Sequence, residues 1–379
     1  MPQGLQHTAP PRAGHEARIL DHLRRRGRAS RGEIATALGL SRATVSTVTG
    51  QLVRTGTLVV APATESGRLG RRPEVLSLDP SSGLVLGLDF GHTHVTVVAT
   101  DASHTVVGSG TRRFPATTSW TRRREIAVGM ATHVLATTDR PESLAAVGIG
   151  VAGSIAGRPA VLEAIEATFA DAFAVPVRTD NNARLAGLAE WLWGAAQGAT
   201  DVMYLRLSHG VGGALVIDGR MRRGPRASGG EFGHVCVDPA GPACRCTNRG
   251  CLERYVGLDA VLAEAGADDV GALLAALDRG DDRAVATLGT ASDRIGLVLG
   301  NVATVLDTPR VVLGGELAAL GDHLVVGVRR AMSRHVLPDK ADALDVRPAA
   351  LGARAGALGG VALVLQDTSI PLPGAPRPA

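Results

Sequence analysis

The sequence predicts an α/β protein with a separate head: an N-terminal winged helix-turn-helix, then a two-lobed α/β body around a cleft. Three observations predict it. Three short helix-like segments follow one another before residue 56, the second and third opened by serines. From Gly83 onward, apolar strands ending at Asp or Gly turns alternate with helical stretches. The charge changes sign between the two parts: residues 1–78 carry 12 Arg against 5 Asp and Glu, and the remainder 28 Lys and Arg against 31 Asp and Glu. A basic head on a weakly acidic body suits a unit that meets a polyanion, although a solvated basic face would give the same count.

At 379 residues, 45% of them hydrophobic, the chain is long enough for two or three folded units. Residues 1–14 read as a disordered leader, 15–78 as the winged helix-turn-helix, 84–367 as the body and 368–379 as a flexible tail. No stretch reaches the roughly 18 uncharged apolar residues of a membrane span, the longest uncharged run, Ser143 to Gly157, being broken by glycines, and the N-terminus lacks a signal-peptide core. The expected location is the cytoplasm, where cysteines stay reduced. Lys340 is the only lysine, so a phosphate-gripping lysine of the Walker type is not available.

The first helix, His15 to Arg26, puts Ile19, Leu20 and Leu23 on one face. Ser30 with Glu33 forms a capping box for the second, and Gly39 ends it. Ser41 caps the third, which turns Val45, Val48 and Leu52 inward. Its opposite face offers Arg42, Ala43, Ser46, Thr47 and Gln51 to base edges in a major groove. Leu58 to Val60 and Val75 to Leu78 read as wing strands, and their loop carries Arg68, Arg71 and Arg72 beside glycines, a composition suited to a narrow minor groove. A small helical interaction domain with a solvated arginine loop would share these features.

In the body, strands are expected at Leu84 to Asp89, Val95 to Ala99, Thr105 to Ser109, Ala145 to Val151, Val175 to Arg178, Asp201 to Leu207, Leu215 to Ile217 and from Val311. Helices are expected at Arg122 to Thr137 and Ala183 to Trp193, with a turn over Gly210 to Ala214. The turn after Asp89 has the composition that lets backbone approach a phosphate, with an aspartate able to position a metal.

The most specific pattern is His234, Cys244, Cys246 and Cys251. Three thiolates and an imidazole meet the tetrahedral preference of zinc within one loop rich in turn formers, which points to a structural Zn2+ site. Cys236, within Val235-Cys236-Val237, reads as a buried apolar residue rather than a ligand.

These residues resemble the ROK family of repressors and sugar kinases. Gly230-Glu231-Phe232-Gly233-His234 and the segment from Cys244 to Glu253 resemble its zinc and sugar signature. Asp89 to Thr93, Gly150 to Gly153 and Val311 to Gly315 resemble its phosphate, sugar and adenosine segments. The resemblance implies an actin-like, sugar-kinase (ribonuclease H-like) ROK domain, and the winged head ahead of it is the layout of the family's sugar-responsive repressors. It also implies sugar contacts from Gly153, Asn181, Glu231, His234 and Glu253, with Asn182 adding a hydrogen bond. The family's kinases carry an Asn-Asp pair whose aspartate is the general base; here it is Asn181-Asn182, and an amide cannot take that proton. His92 replaces a glycine, and Ser208-His209-Gly210 stands where kinases have Gly-Thr-Gly. The expectation is a regulator without kinase chemistry: a homodimer or homotetramer on operator DNA, answering to a sugar or sugar phosphate. The rival expectations are an ATP-dependent sugar kinase with a DNA-binding head, and a regulator that answers to a protein partner.

Overall fold

The computed structural model describes residues 12–61, 74–153, 159–367 and 369–370. The head contains α1 (Arg12–Arg26), β1 (Arg28–Ser30), α2 (Arg31–Leu38), α3 (Arg42–Arg54), β2 (Leu58–Ala61) and β3 (Val75–Leu78). The Ser30 hydroxyl accepts from the Glu33 amide at 3.2 Å, and the Glu33 carboxylate accepts from the Ser30 amide at 2.7 Å, which is the expected capping box. Gly39 then turns the chain at φ 63°, and the Ser41 hydroxyl accepts from the Thr44 amide at 3.0 Å to start α3. The wing strands pair antiparallel, with Leu58 opposite Leu78.

Two features of the head differ from the sequence reading. Arg12 to Gly14, assigned there to the leader, are helical. β1 was not expected: three residues are too few for alternation to show, yet Gly27 at φ 80° turns the chain so that Arg28 pairs with Ser77 and Ala29 is buried.

The body consists of two lobes. The first holds β4 (Leu84–Phe90), β5 (His94–Asp101), β6 (Val106–Arg113), α4 (Trp120–Ala136), β7 (Leu144–Val151), α5 (Pro159–Phe173), β8 (Val177–Asn181) and α6 (Asn182–Trp193). The second holds β9 (Val202–Leu207), β10 (Val211–Ile217), β11 (Arg220–Met221), α7 (Glu253–Val256), α8 (Leu258–Ala265), α9 (Val270–Asp278), α10 (Asp282–Leu306), β12 (Arg310–Gly314), α11 (Asp322–Met332) and β13 (Asp345–Pro348), after which α12 (Ala355–Gln366) returns to the first lobe. Their sheets run β6-β5-β4-β7-β8 and β11-β10-β9-β12-β13, the same strand order twice. In each, the first strand pairs antiparallel with the second and parallel with the fourth. The turn expected over Gly210 to Ala214 is shorter, because β10 already starts at Val211.

The central strands of the first sheet, β4, β5 and β7, are buried along nearly their whole length because both faces are covered. Residues of α4 and α5, including Ala127, Ile165 and Phe169, cover one face. On the other, α12 lies so close that a Cβ at Gly87 or Gly148 would fall 1.9 Å from the carbonyl oxygen of Ala357 or Gly360, so both positions require glycine. α6 packs against the second sheet, where Ala186 joins Tyr204, Ala214 and Val312. Its first residues therefore stand between the lobes, at the floor of the cleft.

Head and body share one apolar cluster. Ile19 and Leu23 of α1 and Leu76 of β3 pack with Val85, Ala146, Val361 and Leu365 of the body. Ile370, read from the sequence as part of a flexible tail, belongs to this cluster and is 1% exposed. The Arg24 guanidinium donates to the carbonyls of Asp367 and Ile370, and Trp193 Nε1 donates to the Arg25 carbonyl at 3.3 Å.

His104 pins the same junction. Its Nε2–H donates to the Arg24 carbonyl at 3.0 Å, its ring meets Trp193 edge-on at 4.8 Å, and its Nδ1 is buried without a partner among the described residues. Burial depresses its pKa from 6.5 to about 4, outweighing the bond to Arg24. The folded state thus favours the neutral ring, and its contribution is complete above pH 6.5 and lost as pH falls towards 4. One pKa unit is ~1.4 kcal/mol, so the loss is about 3 kcal/mol. His104→Asn keeps a residue that tolerates the left-handed φ of 68° but cannot titrate. Between pH 7 and 4, urea denaturation is expected to show the wild type losing about 3 kcal/mol more than this variant. Parallel pH profiles would remove His104 as the acid-sensitive pin.

Candidate functional site

A cavity of about 300 Å³ opens between the lobes, and Gly153, Asn181, Asn182, Glu231, His234 and Glu253 all line it. They arrive from four places. Gly153 follows β7, Asn181 and Asn182 join β8 to α6, Glu231 precedes and His234 ends a short 3-10 turn, and Glu253 opens α7. Asn181 is committed on both sides: its amide donates to the Gly153 carbonyl at 2.9 Å, and its oxygen caps α6 by accepting from the Arg184 amide at 3.0 Å. Glu253 Oε2 accepts from the Val211 amide at 2.9 Å and pairs with Arg245 at 3.0 Å. Glu231 Oε2 stands 4.0 Å from His234 Nε2.

Asp89 lies at the back of the cleft and is fully buried, with both oxygens occupied. Oδ1 accepts from the Asn182 amide at 2.8 Å, and Oδ2 pairs with Arg206 at 3.1 Å. Burial works against the Arg206 charge, but Asp89, Tyr204 and Glu316 together outweigh it and hold its pKa above the ordinary value. His92 and His209 face each other from the two glycine turns, with ring centroids 6.2 Å apart. Burial, with Arg245 and His209 nearby, holds His92 below its ordinary pKa.

The sequence reading missed Arg206 and Arg245 in the cavity lining. A signal for Arg206 existed. It is a lone charge between Leu205 and Leu207 in an apolar strand, as Asp89 is between Leu88 and Phe90, and two opposite charges so placed are best explained by each other.

Beside the cavity, donor atoms of His234, Cys244, Cys246 and Cys251 all lie within 4.8 Å of one another. His234 Nδ1 is 3.7 Å from Cys244 Sγ, and Cys246 Sγ is 3.5 Å from Cys251 Sγ. A tetrahedron with ~2.3 Å metal–sulfur arms has edges of roughly 3.8 Å, so the cluster fits a divalent metal. His234 turns Nδ1 to the thiols and Nε2 to Glu231 and the cavity. Burial pushes the Cys251 thiol up to about 12, so its ionisation needs a cation beside it. The loop is shaped by bonds from the Cys244 amide to the Asn248 carbonyl at 2.8 Å and from the Gly250 amide to the Pro242 carbonyl at 2.9 Å. Cys236 is exposed, not buried as expected: it bridges to Cys251 through backbone alone, at a strand-like spot with solvent on its other face.

In the head, Arg42, Ala43, Ser46, Thr47 and Gln51 are all exposed on α3, opposite the buried Val45, Val48 and Leu52. Arg68, Arg71 and Arg72 lie outside the described residues. Among the described residues no helix is long and apolar enough to cross a membrane.

Two family models match this chain: the ROK family over residues 85–367 and the MarR family over residues 10–69. A xylose repressor of Bacillus spizizenii is 25% identical over 355 residues, covering 89% of this chain and 91% of the repressor. Among solved structures, a ROK family transcriptional regulator, a homologue of the E. coli MLC protein, superposes with a TM-score of 0.70 at 20% identity, covering 93% of this chain and 96% of that one. A ROK hexokinase from Thermus thermophilus aligns with a TM-score of 0.61 at 30% identity, over 75% of this chain and 99% of its own. The hexokinase leaves out about the share of this chain that the head represents, and the regulator includes it. Two like sheets with a cleft between them are thus a known architecture, and the chain belongs to the ROK family with a MarR-type helix-turn-helix at its N-terminus.

Proposed function

We propose that the protein is a sugar-responsive transcriptional repressor that binds operator DNA and has no kinase activity. The observation that carries this is the junction of an exposed reading helix with a cleft whose would-be base is an amide, Asn182, already donating to Asp89. Removing a general base costs ~10²–10⁴-fold in rate. His92 and His209 add bulk where backbone would have to approach phosphates.

On the sugar side, Glu231, Glu253 and the free oxygen of Asn182 offer acceptors for hydroxyl pairs, and His234 Nε2 offers a donor or acceptor. A structural Zn2+ on His234, Cys244, Cys246 and Cys251 would supply charge that keeps the thiols ionised. Holding His234 by Nδ1 leaves Nε2 directed at the ligand. The domains act as a head of residues 15–78 and an effector unit of 84–367, assembled as a homodimer or homotetramer in the cytoplasm. Two α3 helices would then enter successive major grooves of a near-palindromic site, with Arg42, Ala43, Ser46, Thr47 and Gln51 at base edges and Arg68, Arg71 and Arg72 in the minor groove. A sugar or sugar phosphate that prefers one lobe arrangement, by ~1–3 kcal/mol, would change operator affinity about 5–150-fold.

The test pairs operator binding, followed by fluorescence anisotropy on a site selected from random duplexes, with a panel of sugars and sugar phosphates. One ligand is expected to release the wild type from DNA. Glu231→Gln should keep operator affinity while weakening that ligand's effect by on the order of tenfold, because a charge-assisted bond becomes a neutral one. Brisk ATP-dependent phosphorylation of any sugar in the panel would overturn the reading.

A further inference from the structure

A second cavity, of about 590 Å³, lies behind the cleft, where α1 of the head meets the body. Its charge is lopsided. Arg25 and Arg26 come from α1, Arg178 and Arg184 from the β8–α6 segment, and Arg220 and Arg223 from β11 and the residues after it, against only Asp180 and Asp367. The aspartates are already used. Asp367 pairs with Arg178 at 2.8 Å, and Asp180 is shared between Arg184 and Arg223. Arg25 is met from outside the cavity by Asp21 at 2.8 Å, which still leaves positive charge in surplus.

Arg184 is the feature that separates this cavity from a solvated basic face. It is 2% exposed, and its Nε has no hydrogen-bond partner among the described residues. A guanidinium buried with an unused donor costs free energy unless something accepts from it. The lining also has an apolar part: Leu185, Leu188 and Trp191 of α6, with Met221 and Leu363.

We propose that this cavity is a binding site for a small organic polyphosphate, a compound with adjacent phosphate groups and an apolar or aromatic portion. Planar guanidiniums grip phosphate oxygens in pairs, and several converging on one cavity suit more than one phosphate. The apolar part takes the remainder of the molecule. A concave pocket under the head admits a small molecule and not a duplex, whose reading face is the exposed side of α3.

The site stands back to back with the sugar cavity. Asp180 and Arg184 face one, Asn181 and Asn182 face the other, and Asn181 Oδ1 accepts from the Arg184 amide at 3.0 Å. A ligand here would bridge α1 to α6 and so tie the head to the segment that reads the sugar.

The experiment uses the full-length protein and two probes, inorganic pyrophosphate and ATP, in low-magnesium buffer with sodium sulfate at matched ionic strength as control. Calorimetry and thermal shift are expected to show both probes binding where sulfate does not, and ATP more tightly than pyrophosphate. Arg220 and Arg223 are exposed, and with both removed Arg184 keeps its own pairing with Asp180. Arg220→Ala/Arg223→Ala should weaken both probes by on the order of tenfold or more, each lost charge-assisted bond counting that much, while melting within a few degrees of wild type in their absence. Equal heats for sulfate and pyrophosphate, or probe affinities unchanged in the double variant, would overturn the proposal. Neither result bears on operator or sugar binding, which are read separately.

Discussion

Cys251→Ser is expected to lower bound zinc from about one ion per chain to near none and to weaken sugar binding by roughly 10–100-fold, the usual effect of disturbing a metal ligand's surroundings. The serine hydroxyl does not ionise near neutral pH, so three donors would remain of four. Cys251 is fully buried at the base of the loop, and its neighbour Leu252 packs in the core of the second lobe. The loop between them and His234 is held by turn bonds such as those from Cys244 to Asn248 and from Gly250 to Pro242, by the Arg245–Glu253 pair and by the Tyr255 hydroxyl donating to Asp238. Structural zinc contributes ~10–16 kcal/mol where it is the whole core of a small domain. Here the lobe has its own core, so the loss should stay local to Glu231, His234 and Glu253. Elemental analysis and sugar calorimetry check it, with circular dichroism expected to stay near wild type. Full metal content in the variant would refute the ligand assignment.

The cluster was legible because its four ligands lie within one short stretch of chain and their chemistry admits few other uses. The head was legible for a related reason: capping box, glycine turn and apolar stripe are local signals, and all three appear as read at Ser30, Glu33, Gly39 and Val45. Long-range pairing was not legible. β1 is too short to show a period, and its partner Ser77 lies far along the chain. Ile370 looked like tail because nothing nearby in sequence says that Leu23 waits for it. Cys236 misled because apolar neighbours suggest burial, whereas a strand with one partner leaves a face to solvent. The second cavity was invisible for the same reason: its arginines come from three separate segments.

Arg206→Met is expected to destabilise the fold by about 3–5 kcal/mol, the range for removing one partner of a buried ion pair. It would leave Asp89, fully buried, with the Asn182 amide as its only remaining partner among the described residues. The double variant Asp89→Asn/Arg206→Met should recover most of that loss, because it removes the stranded charge, and a double-mutant cycle in urea would read the difference. If the single and double variants were equally unstable, packing around Arg206 and not its charge would be what matters. The same geometry governs any attempt to restore a kinase base. In Asn182→Asp a second carboxylate would stand where the amide now donates to Asp89 at 2.8 Å. Two such groups beside one guanidinium share a proton, and the folded-state pKa of the pair rises above that of an unfolded carboxyl, ~4. Protons are then bound more tightly by the folded chain, so its stability falls as pH rises from ~4 towards that higher pKa, by ~1.4 kcal/mol for each pH unit crossed. Asn182→Asp is therefore expected to be less stable than wild type at pH 8 and nearly equal at pH 4. It should gain no ATP-dependent turnover, since the new carboxylate is tied to Asp89 and the turns still carry His92 and His209. Sugar-dependent ATP hydrolysis by Asn182→Asp would show instead that one amide is all that separates this cleft from catalysis.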